Sequence, residues 1–388
     1  MREIRRWEFA TATEIVIGPG SRHILPDRIA REGGRALIVT GRGTGRTEAL
    51  VDAVRLAGVE VTVWPLGHEP TLDDARTGAR LAAERAVEVV VGIGGGSPID
   101  LAKAVAALVT NGGDPLEYLE VIGRGLPLVQ RPLTIVAVPT TAGAGAEVTR
   151  NAVLVSPQDG VKASLRSPLM LPRLAIVDPE LTLTLPPHVT AATGMDALAQ
   201  LLEPYVSSRA NPITDPLCLD GLVRVAQSLR RAWTNGTDLD ARTGMSLAAL
   251  FGGLALANAA LGAVHAFAAA IGGRFDAPHG AVCAALLPGV VRANVTGLAA
   301  RAPASPAVAR YVTAARVMTG RSDARADDLV ALLQQLRSDL NIPGLRAYGV
   351  GDHDAQAIVE AAARASSMKG NPIGLDPGEL HDVLASAC

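Results

Sequence analysis

VEVVVGIGGGSPIDLAK, residues Val87 to Lys103, runs from β-branched residues through a glycine triplet into a helix-forming segment. Residues 87–92 predict a buried strand and residues 98–110 a helix. Between them Gly94, Gly95 and Gly96 take every Cβ out of one turn, so backbone amides come close to a ligand. The helix that follows offers free N–H groups and the positive end of its dipole. Ser97 is placed to cap that helix or to bond a phosphate, and Pro98 suits a first helical turn. The pattern also serves a plain strand-to-helix turn, and it is not the G-x-G-x-x-G fingerprint. Its place at the carboxyl end of a buried strand favours a pyrophosphate cradle.

Outward from this unit the pattern repeats. Residues 35–40, 59–64 and 133–139 predict further strands, and residues 46–57, after a 41–45 loop, and 73–85 further helices. Buried strands alternating with helices imply a parallel sheet covered on both faces. After about Leu181 strand patterns nearly vanish. Residues 191–205, 216–233, 240–270, 278–290, 307–317, 325–339 and 354–364 predict helices. The expectation is an α/β parallel-sheet domain over residues 1–184 and an all-α domain over 185–388, divided near Leu185-Pro186-Pro187.

Composition narrows the function. A chain of 388 residues, 48% hydrophobic and 19% charged, has ample material for two folded cores and is not disordered. Aromatic residues are only 3%, so Ala, Val, Leu and Gly must do the packing. A net charge of −2, with no long basic run, gives no footprint for nucleic acid or an acidic membrane. The opening MREIRRWEFA lacks the apolar core of a signal peptide. Residues 248–270 come nearest to the roughly 18 apolar residues a membrane span needs, but they include Asn258 and His265. Cys218, Cys283 and Cys388 are odd in number and match no zinc or redox spacing, which fits a reduced, cytoplasmic protein.

Two further constellations carry chemistry. PTTAGAGAE, from Pro139 to Glu147, is a second loop of small residues at a strand end, with the adjacent hydroxyls of Thr140 and Thr141 suited to a nucleotide. Asp196 and Gln200 stand four residues apart on one helix face. His265 lies in an apolar helix and His279 follows Pro278 after a glycine-containing break. Singly, each histidine has a plainer role, as a hydrogen-bonded core residue or a helix-terminal one. Converging with Asp196, they offer two nitrogens and an oxygen to a divalent metal and leave room for substrate.

These segments resemble the iron-containing alcohol dehydrogenase family of the dehydroquinate synthase-like superfamily, over nearly the whole chain. GGGSPIDLAK (94–103) is similar to the family's GGGSxxDxAK motif, and PTTAGAGAEVT (139–149) to its PTTAGTGSEVT loop. GMDAL (194–198) is similar to its first metal motif, and His265 and His279 keep its 14-residue separation. The resemblance implies a Rossmann-like domain, a helical domain and a cleft between them that holds NAD(P)(H). It assigns the coenzyme to Gly94, Gly95, Gly96, Ser97, Asp100, Thr140, Thr141, Thr149 and Lys162, the last near the nicotinamide ribose. It assigns Fe(II) or Zn(II) to Asp196, Gln200, His265 and His279, with Asp196, His265 and His279 as the catalytic set. It implies hydride transfer between nicotinamide C4 and a small alcohol or aldehyde, in a homodimer or larger homo-oligomer.

Three departures stand out. The family's second metal ligand is His where this chain has Gln200, a neutral and weaker donor. A further family His falls at Ala269. Where family members favouring NAD carry Asp after the strand's Val-Thr, this chain has Gly41, followed by Arg42 and later Arg46. Loss of a carboxylate and gain of guanidinium groups favour NADP(H) over NAD(H). The altered ligand set keeps open a metal-independent reductase resembling maleylacetate reductase and a nucleotide-binding scaffold without catalysis. A lyase resembling dehydroquinate synthase is disfavoured by the few clustered basic residues.

Overall fold

The computed structural model describes residues 6–41 and 45–388, with Arg46 described by its backbone alone. The first part contains β1 (Glu14–Ile17), α1 (Leu25–Glu32), β2 (Arg35–Gly41), α2 (Gly45–Leu56), β3 (Glu60–Leu66), α3 (Leu72–Glu84), β4 (Val89–Gly94), α4 (Gly96–Asn111), α5 (Pro115–Tyr118), β5 (Thr134–Pro139), β6 (Asn151–Ser156), β7 (Val161–Arg166) and β8 (Leu174–Val177). Six strands form one parallel sheet in the order β1-β8-β5-β4-β2-β3, and β6 pairs with β7 as a separate antiparallel hairpin. Leu37, Val39 and Val90 pack towards α3 and α4, while Ala36, Ile38, Val89 and Val91 pack towards α1 and α2. With both faces covered, the central strands are apolar throughout rather than alternating. The expected strands are all present, within two residues of their predicted starts. β1 and β8, four residues each, are too short for their pattern to stand out, and the hairpin was not anticipated.

Strand order reverses between β2 and β4: from β2 the chain steps outward to β3, then returns past β2 to β4 and continues to β5. The carboxyl ends of β2 and β4, at Gly41 and Gly94, therefore flank the crevice where open α/β sheets take ligands.

The second part is helical: α6 (Pro187–Val206), α7 (Thr214–Thr234), α8 (Leu239–Ala259), α9 (Ala263–Gly272), α10 (His279–Arg301), α11 (Pro306–Thr319), α12 (Ala326–Asp339), α13 (Ala355–Arg364) and α14 (Pro377–Ala387). Together they enclose one continuous apolar core. Among the described residues one helix, α10, is long and apolar enough to cross a membrane, and 72% of its apolar window is buried inside the protein, as in a core helix.

The single helix expected over residues 240–270 is two helices, α8 and α9, bent by 98°. Ala260 has φ 63, outside the helical region, and Gly262 starts the new helix. The break is secured by side chains from elsewhere: Val264 N donates to Glu203 Oε1 (2.6 Å) and Ala263 N to Asn371 Oδ1 (3.3 Å). A Cβ on Gly262 would stand 2.9 Å from Glu203 Oε1, so this corner requires glycine. A second close approach joins the two parts. Gly145 has φ +61, and a Cβ there would lie 2.4 Å from the Cα of Gly253 in α8. The 139–149 loop thus sits directly against the helical part.

Behind that loop lies a buried polar cluster. Lys103 of α4 donates to Thr149 Oγ1 (2.9 Å) and Asn151 O (3.0 Å), and Asp100 accepts from Val153 N (3.1 Å). These bonds fasten the hairpin to α4. Burial pushes the Glu147 carboxyl up to about 7 from 4.5, although its own backbone amide and Lys103 pull the other way. The folded chain therefore holds a proton that the unfolded chain releases at lower pH. The stability this proton provides is complete below pH 4.5 and is lost as pH rises through 7. Glu147→Gln keeps a neutral side chain and avoids that loss. From about pH 5 to about pH 8 its unfolding free energy, from urea midpoints, should rise relative to the unsubstituted protein by on the order of 3 kcal/mol. Parallel pH profiles would contradict this.

Candidate metal and coenzyme site

Three helices of the second part bring their donors to one point. α6 is buried over most of its length and carries Asp196, Gln200 and Glu203 at i, i+4 and i+7, one face of the helix. The α8–α9 corner sets His265 in the first turn of α9. α10 begins at His279, with Cys283 one turn on. Asp196 Oδ1 lies 3.4 Å from His265 Nε2 and 3.7 Å from His279 Nε2. The Cys283 sulfur stands 3.6 Å from His279 Nε2. The ligand atoms of Asp196, His265, His279 and Cys283 all fall within 4.8 Å of one another.

The cluster is electrostatically unusual. Among the described residues four buried side-chain polar atoms have no hydrogen-bond partner, and three of them are here: Asp196 Oδ1, Gln200 Oε1 and His265 Nε2. An orphaned buried polar atom is costly, and three in one place are the donor set a cation needs. His265 is oriented from behind, since Glu203 Oε2 lies 2.6 Å from its Nδ1. Burial disfavours charge on His265, but Asp196 and Glu203 outweigh it and hold the imidazole pKa up at about 10. Burial likewise opposes the Asp196 carboxylate, and His279, His265 and Gln200 together bring its pKa below the ordinary value. His279 is lowered by burial, helped by the charge of His265 and Lys162 and opposed by Asp196.

The expected coenzyme residues fall into two groups. Gly94, Gly95, Gly96 and Ser97 form the turn from β4 into α4, at the sheet's switch point. Thr140 N donates to Gly94 O (2.8 Å), which brings the second loop alongside the first. Gly95 faces Thr141, with 3.4 Å from its Cβ position to Thr141 Oγ1. Lys162, on β7, crosses to α9 and passes Gly272, and its Nζ pairs with Glu69 Oε2 at 2.5 Å. Lys162 is also close enough to His279 for its charge to act on that imidazole. Asp100 and Thr149 lie instead in the buried cluster around Lys103, with their oxygens committed to protein partners. Gly41 ends β2 at the crevice, while Arg42 lies outside the described residues.

Sequence reasoning missed three residues. Glu203 shares the α6 face with Asp196 and Gln200, and its seven-residue spacing from Asp196 was the available signal. Cys283 is four residues beyond His279. Glu69 follows β3, and nothing local marks it as a partner for Lys162. Ala269, one turn beyond His265 in α9, is exposed.

Comparison with known proteins identifies the family. The sequence profile of iron-containing alcohol dehydrogenases matches residues 12–179, and that of the family's C-terminal region matches residues 190–388. A 1,3-propanediol dehydrogenase of Klebsiella pneumoniae is 35% identical, covering 99% of both chains. A choline dehydrogenase of Bacillus subtilis is 32% identical, covering 97% of this chain and 93% of its own. The crystal structure of a 1,3-propanediol oxidoreductase superposes with a TM-score of 0.91 at 32% identity, covering 99% of this chain and 100% of that one. The α/β sheet followed by helices thus has a counterpart along the full length, and the chain belongs to the iron-containing alcohol dehydrogenase family, as an oxidoreductase acting on CH–OH groups.

Proposed function

We propose that Asp196, His265 and His279 hold a divalent ion beside the coenzyme cleft, with Gln200 against it, and that a primary alcohol and its aldehyde are interconverted there. The observation that carries this reading is that Asp196 Oδ1 and His265 Nε2, both buried and without a hydrogen-bond partner, stand 3.4 Å apart, with His279 Nε2 3.7 Å from the same oxygen. An ion between the Asp196 oxygen and the two imidazole nitrogens would partner all of them, whereas without one Asp196 and His265 face each other at a long 3.4 Å. The two relatives above are named for 1,3-propanediol and choline, and both compounds end in a primary alcohol, which supports that substrate class.

A divalent ion at this position supplies a Lewis acid for the substrate oxygen. A nicotinamide ring in the cleft supplies or accepts the hydride. The chain's own groups do the rest. Glu203 fixes the ring of His265 so that Nε2 faces Asp196. The Asp196 carboxylate offsets cationic charge in a buried site. The turn at Gly94, Gly95 and Gly96 takes the pyrophosphate on backbone amides at the start of α4, with Ser97, Thr140 and Thr141 beside it. Lys162 reaches from β7 towards the ribose. Asp100 and Thr149 act indirectly, by holding Lys103 and the hairpin. The reading treats residues 1–184 as the coenzyme unit and 185–388 as the metal and substrate unit. A reducing, cytoplasmic setting suits the three free cysteines, and a homo-oligomer follows the family.

The coenzyme is NADP(H) in preference to NAD(H), because Gly41 leaves no carboxylate to repel a 2′-phosphate and Arg42 follows it. Arg42→Ala is expected to lower kcat/KM for NADPH about tenfold or more while changing that for NADH little. An equal loss with both coenzymes, or an original preference for NADH, would contradict the assignment. For the metal, His279→Ala is expected to abolish both bound metal, by elemental analysis, and NADPH oxidation across a panel of aldehydes. Full turnover by the unsubstituted protein after exhaustive chelation, in a preparation proven free of metal, would overturn this reading.

A further inference from the structure

Cys283 is fully buried at the edge of the helical core, one helical turn beyond His279, and its sulfur stands within reach of the donor cluster. The spacing of the cluster is informative. In a tetrahedral site with metal–nitrogen and metal–oxygen bonds of about 2.1 Å and a metal–sulfur bond of about 2.3 Å, an O–N edge is about 3.4 Å and an S–N edge about 3.6 Å. The observed edges are 3.4 Å and 3.7 Å from Asp196 Oδ1 to the two imidazole nitrogens, and 3.6 Å from the sulfur to His279 Nε2. These three edges match a tetrahedral site, and the remaining pairs of the four donors lie within 4.8 Å. On α6 the position one turn beyond Asp196 offers only the neutral amide of Gln200, a weak donor, while α10 offers a thiol.

We propose that Cys283 is the fourth protein ligand of the metal site, in a set of Asp196, His265, His279 and Cys283, with Gln200 outside the coordination sphere. The proposal rests on the metal reading above and refines it. On coordination the thiol loses its proton to solvent, and the thiolate and the Asp196 carboxylate together balance a 2+ charge. Two imidazoles, one carboxylate and one thiolate form a softer set than one without sulfur, and this tilts the site towards Zn(II) over Fe(II). Gln200 Oε1 is then free to meet the substrate oxygen's side of the site or a water on the ion.

Cobalt(II) reports on each part of this claim. The full chain, stripped of metal under reducing conditions and titrated with Co(II), is expected to show visible ligand-field bands together with a near-ultraviolet sulfur-to-cobalt charge-transfer band, saturating at one equivalent. Cys283→Ser and Cys283→Ala should keep the ligand-field bands, from an ion still held by Asp196, His265 and His279, and lose the charge-transfer band. Gln200→Ala should keep both. Ligand-field bands without charge transfer in the unsubstituted protein would overturn the cysteine assignment and leave the metal reading standing. Charge transfer that persists in both Cys283 variants would overturn it too, by tracing the sulfur to Cys218 or Cys388. Absence of any Co(II) spectrum would overturn the metal reading itself, and this inference with it.

Discussion

Glu203 is the constraint on which the site rests. Its two carboxylate oxygens take the amide of Val264 and the Nδ1 of His265, two successive residues of α9, at 2.6 Å each. Hydrogen bonds to a charged acceptor contribute about 1.5–3 kcal/mol apiece, and here both are shielded from water. One bond stabilises the start of a helix that would otherwise expose free amides, and the other fixes an imidazole. The corner between α8 and α9 and the aim of His265 are therefore one event. Asn371 secures the neighbouring amide, and Gly262 leaves room for both side chains. Without this corner His265 would continue along α8, away from Asp196.

The sheet has a parallel logic. Parallel strands buried on both faces leave only their ends for chemistry, and the reversal of strand order opens those ends between β2 and β4. Gly94 and the loop from Pro139 meet there through the bond from Thr140 to Gly94. Gly145 carries that loop onto α8 with no side chain on either backbone. The coenzyme loop and the helical part are thus joined by direct backbone contact, and the hairpin that bears Lys162 is locked to α4 by Lys103. Small residues serve this architecture twice: they let helices approach, and they leave room beside the glycine turn.

The sequence made the parts governed by local pattern legible. The β4–glycine–α4 unit follows from β-branched residues, a glycine triplet and a Ser-Pro helix start. Asp196, His265 and His279 were identifiable because residue type and spacing mark them, and the fold brings the three together. What escaped depends on contacts distant in sequence. The bend at Ala260 is invisible in an Ala- and Gly-rich run, since the partners that stabilise it are 61 and 108 residues away. Asp100 and Thr149 belong to a motif suited to ligands, yet their oxygens are spent on Lys103 and the hairpin. The pairing of Glu69 with Lys162 joins the end of β3 to β7 and leaves no local trace. Cys283 was counted for redox state and not for its place one turn from His279.

The account stands on the claim that Asp196, His265 and His279 close on one ion at the mouth of the coenzyme cleft. Anomalous diffraction at the absorption edge of the bound metal, from crystals of the loaded protein, tests it directly. The account predicts a single strong peak within about 2.0–2.3 Å of Asp196 Oδ1, His265 Nε2 and His279 Nε2. A peak located elsewhere on the chain, or an empty cluster in a protein that turns over, would contradict it.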